Sequence, residues 1–175
     1  LEADDAAAGG RADVAHLGEQ AAVAHDLVGQ QHCERFVADG YQRLNRDEAG
    51  GTLRGLLPEV RRSLSIGGPR IILDNTYVTR QSRAAVIHVA AELGVPIRCV
   101  WLTTTIDDAQ VNAATRLIVR YGKLPDESEL AALRKTDTAA FPPTVLFRYQ
   151  RELEPPEVSE GFARIDVVPF ERRRD

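Results

Sequence analysis

Methionine is absent from the 175 residues, tryptophan occurs once, and aromatic residues make up only 6% of the chain. Lysine is scarce too: Lys123 and Lys135 stand against twenty arginines, a bias that points to a GC-rich coding sequence rather than to function. The two cysteines, Cys33 and Cys99, lie far apart and match no disulfide or metal framework. No apolar run approaches the ~18 residues needed to cross a bilayer. Leu1 to Asp5 are acidic where a secretory signal would begin basic. Glycine (13) and proline (9) are near ordinary usage, which excludes fibrous and low-complexity classes. The expectation is a soluble, cytoplasmic chain with no membrane partner. A start at Leu1 instead of methionine points to a fragment or a misdefined reading frame.

What is present suits one domain, or one domain with an appendage: 43% of residues are hydrophobic and 27% charged. The net charge of −4 is unevenly placed. Residues 1–33 carry six acids and only Arg11 as a base, while the remainder is close to neutral, with 21 bases and 20 acids. A chain without a basic stripe does not by itself announce a nucleic-acid partner.

Residues 1–33 read as an atypical leader, a disordered or frame-shifted segment, with at most a short helix around Ala12–Val28 that Gly18 interrupts. From Glu34 to the end the chain reads as one domain. Glu34–Asp39 would close a helix stopped by Gly40, Tyr41–Leu44 would be a short strand, and a helix between Thr52 and Ser65 would be kinked at Pro58. Gly67-Gly68-Pro69 breaks the chain before Ile71-Ile72-Leu73, a continuous apolar run suited to a strand buried on both faces. Gln81–Leu93 has the helical period in Val86, Val89, Ala90 and Leu93. Pro96–Leu102 is a second buried strand. Thr105 would cap a helix running to Tyr121, with Ala114, Leu117, Ile118 and Tyr121 facing inward. Helices are also expected at Glu129–Arg134 and Pro142–Leu153, and a last strand at Arg164–Val168. Alternating strands and helices predict an α/β fold, a parallel sheet covered on both faces.

In such sheets ligands sit beyond the carboxyl ends of the strands. Three segments qualify: Asn45-Arg46-Asp47, Asp74-Asn75-Thr76 and Thr103-Thr104-Thr105. An aspartate there can act as a general base or hold a metal-bound water, although a turn or helix cap is the plainer role. Asn112, Arg116 and Arg120 recur every fourth residue and form one polar helical stripe, suited to solvent or to phosphate charge. His16, His25 and His32 with Cys33 fit no zinc spacing, so no metal site is expected of them. His88 reads as a core or boundary residue.

Taken together, the motifs resemble the kinase domain of the polynucleotide kinase 3′-phosphatase family. They are Asn45-Arg46-Asp47, Ile72-Leu73-Asp74-Asn75-Thr76, Gln81-Ser82-Arg83-Ala84, Gly94-Val95-Pro96-Ile97-Arg98-Cys99 and Ala109…Asn112…Arg116. Near the end come Glu154-Pro155-Pro156, Glu160-Gly161-Phe162 and Val168-Pro169-Phe170, so the match runs in order from about Glu34 to Phe170. The resemblance implies a P-loop NTPase-like phosphotransferase that moves the γ-phosphate of ATP, with Mg2+, to a nucleic-acid 5′-hydroxyl in end repair. It implies Asp47 as general base and Arg46 beside the acceptor end. Asn45, Asp74, Asn75, Thr76 and Arg83 would line the substrate and phosphate site. Arg116, with Arg120 as the alternate, would serve as the lid arginine. A fused phosphatase domain upstream would be a partner. The same residues would equally serve a small-molecule hydroxyl. The family's G-x-x-x-x-G-K-[ST] loop is not found in residues 1–33, and neither lysine follows a glycine-rich turn. The first strand and P-loop are therefore expected to be missing or replaced, leaving a sheet edge exposed and an inactive remnant or binding module as the alternative.

Overall fold

The computed structural model describes residues 14–19, 27–65, 70–137, 140 and 142–169, with 14–19 and 27–31 described by backbone alone. Its frame is a five-stranded, wholly parallel sheet in the order β2-β3-β1-β4-β5. The strands are β1 (Val14–Glu19), β2 (Gln42–Leu44), β3 (Ile71–Asp74), β4 (Ile97–Thr103) and β5 (Arg164–Pro169). Ile71, Ile72 and Leu73 have no exposed surface, as the unbroken apolar run requires of a strand covered on both sides.

The first strand, expected missing or replaced, is supplied by the leader itself. β1 occupies the centre of the sheet, pairing Val14–Leu17 with Ile71–Asp74 and Val14–Glu19 with Ile97–Leu102. Its place is therefore not an open edge; the sheet edges are β2 and β5. The helix expected around Ala12–Val28 is a strand at residues 14–19, and the boundary expected at Glu34 falls inside helix α1 (Leu27–Ala38). The segment between β1 and α1, where a P-loop would lie, is outside the described residues, as is the Gly67-Gly68-Pro69 break.

Elsewhere the local signals hold. Gly40 ends the α1 turn at φ 85°, a conformation that needs no Cβ. A 3-10 turn at Leu53–Leu56 leads into α3 (Leu57–Ser65), so Pro58 sits in the first turn and starts the helix rather than kinking it. α4 (Arg80–Glu92) opens with a capping box between Thr79 and Ser82. α5 (Ile106–Tyr121) is capped by Thr105 and closed by Gly122. α6 (Glu127–Leu133) and α7 (Val145–Glu152) follow; the short α2 (Arg46–Ala49) lies earlier, after β2.

One sheet face packs Leu44, Ile71, Leu73, Ile97 and Cys99 against α3 and α4. The other packs Ile72, Val100 and Leu102 against Cys33 and Phe36 of α1 and Tyr41. α5 meets α7 and α6 through small clusters of its own. Its buried stripe is Ala109, Ala113 and Leu117, one step round from the expected Ala114, Leu117, Ile118 and Tyr121; Ile118 is 46% exposed. His88 is exposed rather than core, pairing with Glu92 one turn on.

Because β1 passes to α1 on one face while β2 and β3 pass to α3 and α4 on the other, strand order reverses direction between β3 and β1. Asp74, opposite Leu17 in the register, ends β3 at that crevice.

Candidate functional site

Two asparagines tie the end of β2 to the end of β3. Asn45 is 8% exposed and caps α2: its Oδ1 accepts the N–H groups of Asp47 (2.7 Å) and Glu48 (3.2 Å). Its Nδ2 donates across to the Asp74 carbonyl at 2.7 Å. Asn75 reciprocates, accepting the Arg46 N–H at 2.7 Å and donating to the Leu44 carbonyl at 3.0 Å. Both residues were expected to line the substrate site. Their amides are instead committed to the chain, so they position the Arg46-Asp47 turn rather than meet a ligand.

Asp47 follows on the first turn of α2, where a negative charge suits the helix dipole. Its carboxylate is 54% exposed and takes the Arg46 guanidinium at 2.5 and 2.9 Å. Both bonds fall on one carboxylate oxygen, Oδ1.

Arg46 also forms the wall of a cleft of about 450 Å³ with Arg54, Leu57, Tyr77, Gln81 and Ser82. Arg54 escaped sequence reasoning because nothing in its neighbourhood distinguishes it from other exposed arginines; it sits on the 3-10 turn and lines the same cleft as Arg46. Burial pushes the Tyr77 hydroxyl well above its ordinary range, so it stays protonated as a donor.

Asp74 is held by a residue that sequence reasoning also passed over. Arg43, on β2, gives Nε (2.8 Å) and Nη2 (2.5 Å) to Asp74 Oδ2, and its Nη1 to Glu48. Asn45 Nδ2 is a third donor to the same oxygen at 3.4 Å. The Cys33 thiol lies against this group; burial, then the charge of Asp74, pushes its pKa up to about 11. Cys33 and Cys99 are both buried and free, and neither thiol is expected to react in the folded protein at pH 8. Titration with an aromatic disulfide reagent checks this: no thiol reacts natively and both react in denaturant. A rapidly labelled native thiol would contradict the packing of α1 on the sheet.

Other expected site residues lie elsewhere or serve otherwise. Arg83 is 2% exposed and forms a fork with Glu160, Nε to Oε2 and Nη2 to Oε1, both at 2.7 Å. Its Nη1 bonds the Tyr77 carbonyl at 3.0 Å, so the guanidinium is a buried strut between α4 and the Glu160 turn, not a phosphate ligand. Arg120 turns away to Asp137, at 2.5 Å, sharing that oxygen with the Tyr121 hydroxyl. Thr105 is the plain helix cap, and Thr104 is buried. Arg116 is half-buried on α5 beside Asn112, and Thr76 is half-buried at the end of β3.

A magnesium ion would need carboxylate oxygens free to ligate and, in a P-loop, a hydroxyl after β1. Gln20 to Asp26 contain no serine, threonine or lysine. Asp74 Oδ2 already carries three donors. Among the described residues no three His, Cys, Asp or Glu side chains gather to hold a metal. The described residues do not gather a set that fits the ion. Nor is any described helix long and apolar enough to cross a membrane.

Comparison with known proteins places this geometry. The family described as AAA domain matches residues 13–137, a span that includes β1 and the crevice. A bifunctional polynucleotide phosphatase/kinase of Schizosaccharomyces pombe is 25% identical over 144 residues, covering 81% of this chain; the chain spans 30% of that relative's length. Among solved structures, a chain of the PezAT chromosomal toxin-antitoxin system of Streptococcus pneumoniae superposes with a TM-score of 0.56 at 13% identity, over 91% of this chain and 68% of its own. A gluconokinase from Sinorhizobium meliloti 1021 superposes with a TM-score of 0.51 at 17% identity, over 93% and 84%. At these identities the two structures speak for the fold alone.

Proposed function

This chain belongs to the AAA domain family of P-loop kinase-like proteins, and from that premise we propose that it is the acceptor-binding domain of a phosphotransferase acting on nucleic-acid 5′-hydroxyl ends. The observation that carries the reading is the exposed Asp47 carboxylate, paired with Arg46 on a turn whose backbone N–H groups the Asn45 and Asn75 amides hold, beside a cleft whose lining includes two arginines. The resemblance to a protein named for polynucleotide phosphatase/kinase activity supports the choice of acceptor.

In this reading Arg46 and Arg54 meet the phosphate of the terminal nucleotide, where planar guanidinium groups bind oxyanions in pairs. Asp47 accepts the proton of the 5′-hydroxyl as its oxygen becomes the nucleophile. The family implies ATP as the phosphoryl donor. On the donor side, however, this chain has no lysine or hydroxyl residue between β1 and α1. That observation favours a second reading, a module that binds 5′ ends without transferring phosphate.

The test is the full chain with a 5′-hydroxyl oligonucleotide and γ-labelled ATP, with a sugar alcohol as competing acceptor. The expected result is oligonucleotide binding weakened by Arg54→Ala. Where label is transferred, Asp47→Asn lowers the rate by about 10²-fold or more, the range for a lost general base. Binding without transfer establishes the module reading. Transfer to the sugar alcohol in preference to the oligonucleotide, or no binding of either acceptor, overturns the proposal.

A further inference from the structure

Asp74 stands at the point of the sheet where strand order reverses, the place at which open α/β sheets collect ligands. A carboxylate there is the natural anchor for a divalent cation accompanying phosphates. In this chain the anchor is occupied by the protein itself. The Arg43 guanidinium puts two N–H groups on Asp74 Oδ2, at 2.8 and 2.5 Å, and a third on Glu48. Two carboxylates from different elements, β3 and α2, thus converge on one positive group. The arginine is itself fixed: its side chain is 25% exposed, it starts from β2 next to β3, and the Cys33 thiol of α1 lies beside it.

We propose that Arg43 is a built-in cation, occupying between Asp74 and Glu48 the position a divalent metal would otherwise take, so that this strand end does not bind metal. A guanidinium within hydrogen-bonding distance of the carboxylate opposes a dipositive ion in two ways. It occupies Oδ2, one of the two carboxylate oxygens, and its own charge repels the ion at short range in a partly desolvated place. The aspartate is neutralised without a cofactor, and the crevice keeps its shape through a side chain that cannot be deprotonated or chelated away. The absence of lysine, serine and threonine after β1 agrees with this, since the usual partners of a phosphate-bound metal are lacking there. The inference stands apart from the acceptor reading, because it concerns Arg43, Asp74 and Glu48 rather than Asp47 and requires no transfer.

The experiment is Mn2+ binding to the full chain without nucleotide, read from the loss of the free-ion paramagnetic resonance signal. The wild-type chain is expected to bind no Mn2+ up to about 1 mM, weaker than sites built from several carboxylates. Arg43→Gln frees Asp74 and Glu48 and is expected to bind one Mn2+ at least tenfold more tightly than wild type, an affinity lost again in Arg43→Gln/Asp74→Asn. Wild-type binding of one Mn2+ below millimolar concentration, abolished by Asp74→Asn, would overturn the proposal. So would an Arg43→Gln protein with an unchanged circular dichroism spectrum and no gain in binding. If the substituted protein does not fold, the wild-type titration and its Asp74→Asn control still decide. Oligonucleotide binding by the wild-type chain, measured separately, decides the acceptor reading on its own.

Discussion

A chain that begins at Glu34 is expected to lose its cooperative unfolding transition, while the full chain retains one. β1 is the only described strand that joins the two halves of the sheet: β3 pairs with β2 and β1, and β4 with β1 and β5. Without it, β2–β3 and β4–β5 become separate two-stranded ribbons whose inner edges carry unpaired backbone groups. Each buried group left unpaired costs free energy comparable to a lost hydrogen bond, and a two-stranded parallel ribbon is not stable alone. The truncation also removes the first seven residues of α1, which carries the cover for Ile72, Val100 and Leu102. A point substitution makes the same test more gently. Ala15→Pro removes a ladder donor from a central strand and is expected to lower the unfolding midpoint. Urea denaturation followed by circular dichroism reads both. A Glu34-start protein that unfolds cooperatively at the full chain's midpoint would mean that residues 14–19 do not complete the sheet.

The second large effect is expected from the strut between α4 and the Glu160 turn. Arg83 and Glu160 are each about 2% exposed at the side chain and meet through two bonds of 2.7 Å. Removing one partner leaves the other charge buried and uncompensated, so Arg83→Met or Glu160→Gln should each cost about 3–5 kcal/mol. That is a large share of the ~5–15 kcal/mol that holds a domain folded. Exchanging both together, Arg83→Met with Glu160→Leu, should cost less than either single change, because no charge is then stranded. A double substitution as damaging as the sum of the singles would show that the pair is not coupled. Although burial acts to raise it, the hydrogen bonds from Arg83 hold the Glu160 carboxyl below its ordinary value of 4.5. A depressed folded-state value means that this stability is present above pH 4.5 and is lost as acid protonates Glu160 in the folded chain. Glu160→Gln should therefore flatten the acid limb of the stability curve. The turn that presents Glu160 has its own constraint. Gly161 sits at φ 116°, and a Cβ there would come within 2.8 Å of Ile87 Cγ2.

Much of this architecture is legible in local patterns. The Ile71–Leu73 run, the Thr79 and Thr105 caps, and Gly40 and Gly122 beyond the helix ends each carry their meaning within a few residues. The cluster at the strand ends was legible for the same reason. Asn45-Arg46-Asp47 follows β2 and Asp74-Asn75 closes the apolar β3, and the parallel sheet lines those ends up.

What local pattern did not show is everything that depends on distant partners. β1 is composed of Val-Ala-His-Leu-Gly-Glu, with neither clean alternation nor a β-branched run; it is a strand because β3 and β4 offer it two ladders of hydrogen bonds. Arg83 and Arg43 look like any exposed helical or strand arginine until Glu160, 77 positions on, and Asp74, 31 positions on, are brought against them. The sequence alone determined which residues bear charge, which turns are forced and where strands end, because those follow from side-chain chemistry and backbone sterics at short range. Only the tertiary structure decided which of the arginines are struts and which face a cleft. Burial and pairing are set by contacts between segments, and a guanidinium's role changes with the carboxylate that reaches it.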